Sequence, residues 1–553
     1  MNQKCSFVFT LAVLTATALA ARAHDGDPKL ASRQPMYPGP GWRNVQLTQP
    51  TAGGSIAATG VNFPHSNVTL LSWLSLPDFG VPSGGNGNSC FGYTSPSGRE
   101  YAIMGLSNGT AFVEITHPGS PVIVAQIPGN QSLWRDMRAY SHYVYSVTEA
   151  NGYLQVIDVG NIDNGVVTLV NTITTGGSGN THTLALNETS GYLYRDGGST
   201  NGLRIYDLNA NPASPTYVGQ WPDRYVHESQ VVTYPTGGPG NGPRELAICC
   251  GGLNGGQVDT GIDIVDVTNK ASPTRLTHIA YPLPGYSHQA WLTPDRQFLY
   301  QNDETDQRPY TRVFDASQLN APTPVLTYIG EFQNGLTVDH NLYTKNNLIY
   351  ESNYRGGLRV FDRTQSSLAP TLYASFDTYP EADGLGYNGL WNNYPYFQSG
   401  VVIGSDIEKG LFVWWVGTPQ LAFAFPNGAP ATVNPAGESV VVQIDALAPA
   451  QIQAGTAKLW TGTGLGWTST NLVALGGNRY AALFPAYACG TEIDYYISAE
   501  TQNGVVWMSP ADAPTAYLTV SAAFSATTVA SDDFETSQGW TTLLPGDTAT
   551  VGE

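Results

Sequence analysis

The sequence predicts an all-β chain: a seven-bladed β-propeller closed by an N-terminal strand, then an immunoglobulin-like β-sandwich and the start of a further β domain. Two periodic ladders and the composition predict it. The first ladder is a polar or histidine-bearing step followed by a short apolar run, clearest in Tyr286-Ser287-His288-Gln289-Ala290-Trp291-Leu292-Thr293. Its anchors are Cys90, Asp136, His182, His227, His288, His340 and Asn388, with gaps of 46, 46, 45, 61, 52 and 48 residues. A period of about 40–50 residues in a strand-rich chain marks a propeller. The second ladder is the acid that ends a Gly-led strand, at Glu114, Asp158, Asp207, Asp266, Asp315 and Asp362, with Trp415 taking its place in the last unit. Those gaps are 44, 49, 59, 49, 47 and 53, and the agreement of two ladders fixes the repeat. The third observation is composition. Only 12% of residues are charged, against 61 glycines, 37 prolines and 31 tyrosines, the profile of an extracellular, turn-rich β protein.

The chain of 553 residues is too long for one ordinary domain. A net charge of −19 argues against nucleic acid or an anionic membrane as partner, since both would be repelled. Residues 1–23 read as a secretory signal: Lys4, an apolar run to Ala20, and Ala21-Arg22-Ala23 as cleavage site. The run is short for a membrane span, no other stretch qualifies, and export to the cell exterior or surface is the expectation. Cleavage there would leave His24 first. Residues 24–64, rich in Pro and Gly, read as an extended arm over the domain.

Asn67 to Leu76 forms a strand pattern with no hairpin partner nearby. Seven units follow, illustrated by the third. A strand runs from His182 to Leu186, then come a tight turn, a tyrosine-rich strand Tyr192 to Tyr194, a strand Gly202 to Asp207, and a Pro-containing turn before Thr216 to Trp221. The acids of the second ladder read as turn formers that accept backbone N–H groups of the next turn. The seventh unit shows only three strands, so the orphan at 67–76 is predicted to complete it and remove the open edge. The propeller then spans 65–418. Short alternating strands over 419–521 suit a sandwich of immunoglobulin or fibronectin type III size. Residues 522–553 read as a flexible linker and the truncated opening of another β domain.

Four cysteines follow the signal: Cys90, Cys249, Cys250 and Cys489. In an oxidising compartment some should pair, either as a vicinal Cys249–Cys250 bridge or with one of the two reaching Cys90. No GxSxG, HExxH, P-loop or EF-hand pattern occurs.

Several phrases carry a family likeness. Gly356-Gly357-Leu358-Arg359-Val360-Phe361-Asp362 and Gly261-Ile262-Asp263-Ile264-Val265-Asp266-Val267 resemble LVIVD-type repeats. Trp134-Arg135-Asp136-Met137-Arg138, Asp339-His340-Asn341-Leu342-Tyr343 and Ser405-Asp406-Ile407-Glu408-Lys409-Gly410 resemble the choice-of-anchor B family of secreted bacterial proteins over about residues 25–418. The resemblance implies an exported module joined to varied C-terminal attachments and no established reaction. Relatives often carry Cys where this chain has Thr181.

In a propeller the first strand of each blade lines the channel. That places His182, His227, His288 and His340, from four consecutive blades, around one mouth, with Asp136 as a further oxygen ligand and Glu228, Asp303, Glu304 and Asp339 nearby. Four imidazoles suit a divalent transition metal such as copper, zinc, manganese or iron, and adjoining acids would fix their tautomers. The first functional reading is a secreted or surface propeller that binds a small-molecule, glycan or protein ligand at the channel mouth, with a histidine-held metal. The alternative is an exported metal-dependent enzyme of oxidase or lyase type. There Arg135 would hold an anionic substrate group, and Asp303 or Glu304 would serve as general base.

Overall fold

The computed structural model describes residues 27–43, 61–305, 308–333, 335–447, 450–464, 466–510, 513–514 and 516–524. The signal-like segment 1–23, His24, the middle of the arm and residues 525–553 lie outside them. The chain divides into two compact units, residues 1–419 with 502–506, and residues 420–501 with 507–553.

The first unit is a β-propeller. Among its described residues are seven antiparallel sheets, and within six of them four consecutive strands pair in chain order. The third sheet, for example, runs Thr183–Asn187, Tyr192–Asp196, Leu203–Asp207, Thr216–Trp221. The first strand of each sheet packs on the first strand of the next, and Leu390–Tyr394 of the seventh returns to Gly87–Thr94 of the first. Such closure leaves the seven first strands around a common channel. The seventh sheet takes its fourth strand from the N-terminal side: Val68–Leu74 pairs antiparallel with Gly410–Val416, Val68 opposite Val416. Trp42–Arg43 then pairs on the far side of Val68–Leu74.

Strand alternation builds the core. In Arg244–Gly251 of the fourth sheet, Leu246, Ile248 and Cys250 face the fifth sheet's Ala290, Leu299 and Phe314. The intervening Ala247 and Cys249 face Tyr194, Ile205 and Trp221 of the third. Each fully buried aliphatic or aromatic side chain contributes about 1.5–3 kcal/mol. The same alternation overturns the expected disulfides: all four described cysteines are free. Cys249 and Cys250 point to opposite faces of one strand into different cores, and Cys90 lies in the first sheet.

The acids of the second ladder close turns. Oδ1 of Asp158, Asp207, Asp266, Asp315 and Asp362 each accepts the backbone N–H two residues on, at 2.7–2.9 Å. Glu114, one methylene longer, instead binds the Arg99 guanidinium. The glycines that open third strands also have a cause. At Gly202, φ is +78° and a Cβ would stand 1.3 Å from the Trp221 carbonyl oxygen. At Gly357, φ is +64° and the Phe376 carbonyl oxygen would be 2.1 Å away.

Among its described residues the second unit holds two sheets. One orders Leu421–Ala424, Glu438–Ala446, Arg479–Phe484 and Val473–Gly476; the other carries Leu518–Ala522, Glu492–Glu500, Lys458–Gly462 and Trp467–Asn471 in sequence. Buried Val442, Ile444, Leu459, Tyr495 and Ile497 form its core.

Candidate metal centre

The four ladder histidines meet at the strand-opening end of the channel. His182, His227 and His340 each stand one residue before the first paired residue of an inner strand (Thr183, Glu228 and Asn341). His288 sits in the register shift between Ser287 and Gln289, which turns it to the same level. The imidazoles touch in blade order: ring centroids are 3.9 Å apart for His182–His227, 4.5 Å for His227–His288 and 4.3 Å for His288–His340. All four are buried.

Their outer nitrogens are held from behind. His182 Nδ1 lies 2.7 Å from Glu149 Oε1, and His340 Nδ1 lies 2.7 Å from the Trp391 carbonyl oxygen. Those partners only accept, so each Nδ1 carries the proton and donates. His227 Nδ1 lies 2.9 Å from the Tyr286 hydroxyl, which itself donates to Asn254 Oδ1 at 2.5 Å. The hydroxyl proton is thus committed, and His227 Nδ1 donates as well. Three rings therefore keep their lone pair on Nε2, the state a metal ligand requires, with the outer partner setting tautomer and orientation. Burial, opposed by Glu304, pushes the His340 pKa down to about 3, so that ring is neutral.

Two sets of ligand atoms lie within 4.8 Å of one another: His182, His227 and His288, and His288, Glu304 and His340. The second set already holds a cation. Lys29, 3% exposed, places Nζ 2.5 Å from Glu304 Oε1 and 3.4 Å from Asp27 Oδ2, and lies over the Trp391 ring. Tyr354 also donates its hydroxyl to Glu304 Oε1. Nε2 of His288 and of His340 stand 3.8 and 3.7 Å from the same carboxylate. Burial would raise the Glu304 pKa, but the Lys29 ammonium and the bonds from Lys29 and Tyr354 outweigh it and hold the group below the usual carboxylate range. Burial likewise opposes the Lys29 charge, yet the two carboxylates raise its pKa and keep it an ammonium.

Lys29 belongs to the short helix Pro28–Ser32, in a segment that crosses the end of the channel. Ser32 accepts from Asn388 Nδ2 in the seventh sheet's approach, and Arg33 donates to Gly84 O before the first. The mouth expected to admit a ligand is thus covered by residues 27–33.

Several expected roles do not fit. Asp136 does not join the histidines. Arg138 Nη1 donates to both its oxygens at 2.9 Å, and Leu184 N–H donates to Oδ2. The reason is register: Asp136 pairs with Val147 as Thr183 pairs with Asp196, one residue past the histidine position. Arg135 occupies that position instead but turns away, donating to the carbonyls of Leu106 and Asn130 at 2.9 and 2.7 Å. Asp303 is enclosed by Tyr281 OH, Gln301 Nε2, Gly285 N–H and Arg312, so it is no general base. Glu304, ion-paired to Lys29, is equally unsuited to take a proton. Asp339 accepts from Asn302 Nδ2 at 2.7 Å, and Glu228 lies deeper in the channel, where burial, then Asp136, pushes its pKa up to about 8.

Sequence reasoning missed Lys29, Glu149, Tyr286 and Tyr354. A local signal existed for one: of three Tyr-x-His steps, at Tyr140–His142, Tyr225–His227 and Tyr286–His288, two fall on ladder histidines. Glu149 and Glu304 also share a place, each directly following the second strand of its sheet and each addressing the histidine of the next.

The LVIVD repeat model matches residues 256–278, which include the third strand Gly261–Asp266 of the fourth sheet. A search of curated proteins finds no match. Among solved structures the chain is similar to a protein from Lactobacillus plantarum, at 15% identity over 54% of this chain and 85% of that one, TM-score 0.41. It is also similar to the β-propeller domain of Cps50 (Swd1) from Myceliophteria thermophila, at 13% identity, 60% and 96% coverage and TM-score 0.39. A third is hydrazine synthase from Kuenenia stuttgartiensis, at 11% identity, 58% and 93% coverage and TM-score 0.40. The repeat and the ring of sheets define the class, a repeat β-propeller. The three solved structures add nothing about function.

Proposed function

We propose that the chain is an exported seven-bladed propeller of the choice-of-anchor B type, carrying an immunoglobulin-like module, that binds one divalent transition metal and a ligand within its channel. The observation that carries the metal is the contact of the His182, His227 and His288 rings, with Nδ1 of His182 and His227 held by Glu149 and Tyr286 so that Nε2 keeps its lone pair. His182, His227 and His288 form the site for the ion, which an imidazole set suits best as copper, zinc or iron. The Lys29 ammonium serves the neighbouring set on Glu304 and His340. Bound there, the metal would supply Lewis-acid or redox chemistry. Asp303 and Glu304, the candidate bases, are taken up in hydrogen bonds and ion pairs, and this favours binding over acid–base catalysis.

Protein purified without a histidine tag should carry about one equivalent of copper, zinc, manganese or iron by elemental analysis, a stoichiometry set by one complete ligand set. His182→Ala, His227→Ala and His288→Ala should each lose it while keeping the wild-type circular dichroism. Metal-free protein that takes up none of the four ions, with unchanged melting in these variants, would remove the reading.

A further inference from the structure

The other end of the channel is built differently. A cavity of about 350 Å³ opens among the closing residues of the inner strands. Its wall is a continuous arc of aromatic rings from four successive sheets. Trp291 meets Tyr343 at 4.9 Å, Tyr343 meets Tyr396 at 6.1 Å, Tyr396 meets Tyr394 at 5.5 Å, and Tyr394 meets Phe91 at 4.9 Å. Across from the arc stand Ala185 and Ser229, short side chains that leave the space open. Arg138 completes the arc, its guanidinium 5.3 Å from the Phe91 ring centroid, while Glu188 brings a carboxylate to the lining. Below, a smaller cavity shares Arg138 and Tyr343 and is lined by Thr183, Asn341 and Asn392, reaching His182.

We propose that this mouth is a saccharide site, taking a neutral sugar of one or two rings. The ligand must offer apolar faces to the aromatic arc and hydroxyls to a donor, an acceptor and a polar floor. A pyranose does this, with C–H faces for Trp291 and the tyrosines and hydroxyls for Arg138, Glu188 and the amides. A purely apolar or aromatic ligand would leave the polar floor unmatched, at a desolvation cost. An acidic polymer is disfavoured by the −19 charge of the chain. The site rests on the reading of the propeller as a ligand-binding module and is independent of the metal.

The test is titration calorimetry and tryptophan fluorescence on the full chain with cellobiose, maltose and N,N′-diacetylchitobiose, alongside p-cresol as an aromatic probe. At least one disaccharide should bind at up to millimolar concentrations, and Trp291→Ala should weaken it about tenfold or more. Ala185→Leu, which fills the cavity from the opposite side, should do the same if loss of Trp291 impairs folding. Metal content should not change in either variant, so failure of the metal reading and failure of the sugar site show up separately. The proposal is overturned if none of the three sugars binds, if binding survives both variants, or if p-cresol binds more tightly and displaces the sugar.

Discussion

The two ends of the channel use the same seven inner strands for opposite purposes. At the opening end the outer nitrogens of three imidazoles and the Glu304 carboxylate are matched inside the protein: Glu149, Tyr286 and the Trp391 carbonyl hold imidazoles, and Lys29 from a remote segment balances Glu304. At the closing end, three residues further along, the same strands line a cavity with aromatic rings. Three residues advance a strand by about 10 Å, so one blade can serve both ends, with the smaller cavity of Arg138 and Tyr343 between them. Preorganised polar atoms suit a small ion held rigidly, whereas open aromatic faces suit a ligand that arrives with its own shape.

The contrast can be broken most strongly at Lys29. Replacing it by Met leaves Glu304 buried with its main counter-charge gone, which should cost about 3–5 kcal/mol in chemical denaturation. Zinc should restore much of that loss by binding His288, Glu304 and His340; because His288 belongs to both sets, metal content should stay near one equivalent. Unchanged stability, with or without zinc, would mean that Lys29 is not holding the second set. Next in size is Glu149→Gln, which keeps an acceptor for His182 Nδ1 but removes the charge. Its metal affinity should fall about 10–100-fold in a competition titration with a chromophoric chelator.

A smaller effect is expected from pH at the covered end. Glu408 accepts from Asn388 Nδ2 and Gly389 N–H, and burial, then Asp406, pushes its pKa up. A raised folded pKa means the stabilisation is complete below the ordinary carboxylate pKa and is lost as pH rises through the raised value. Wild-type protein should therefore melt at lower temperature at pH 9 than at pH 5. Glu408→Gln should flatten that slope and gain about 1–3 kcal/mol at pH 9, to be measured as denaturation curves at both pH values. The smallest expected change sharpens the comparison from the other side: Trp291→Ala should leave metal affinity within about twofold, since sites more than 7–10 Å apart act nearly additively. A larger loss would couple the two ends.

Much of the architecture was readable because each blade is a local product. Alternation, Asx turns such as Asp207 with Asn209, and the glycine demanded by the Trp221 carbonyl all arise within one repeat, so they recur at its period. The histidine register was readable for the same reason. Asp136 was misassigned because a ladder of anchors does not resolve a one-residue offset, and in a strand that offset decides which level of the channel a side chain reaches. The disulfides failed on the same alternation, which sends Cys249 and Cys250 into separate cores.

By itself, then, the sequence determined the repeat, the turn chemistry and the presence of four imidazoles at equivalent places, since these follow from spacing along the chain. Only the tertiary structure decided what each imidazole does with its second nitrogen. The partners come from the preceding or following blade or, as with Lys29 on Glu304, from 275 residues away. A proton's location depends on which acceptor packs against it in space, and no periodicity in the chain encodes that.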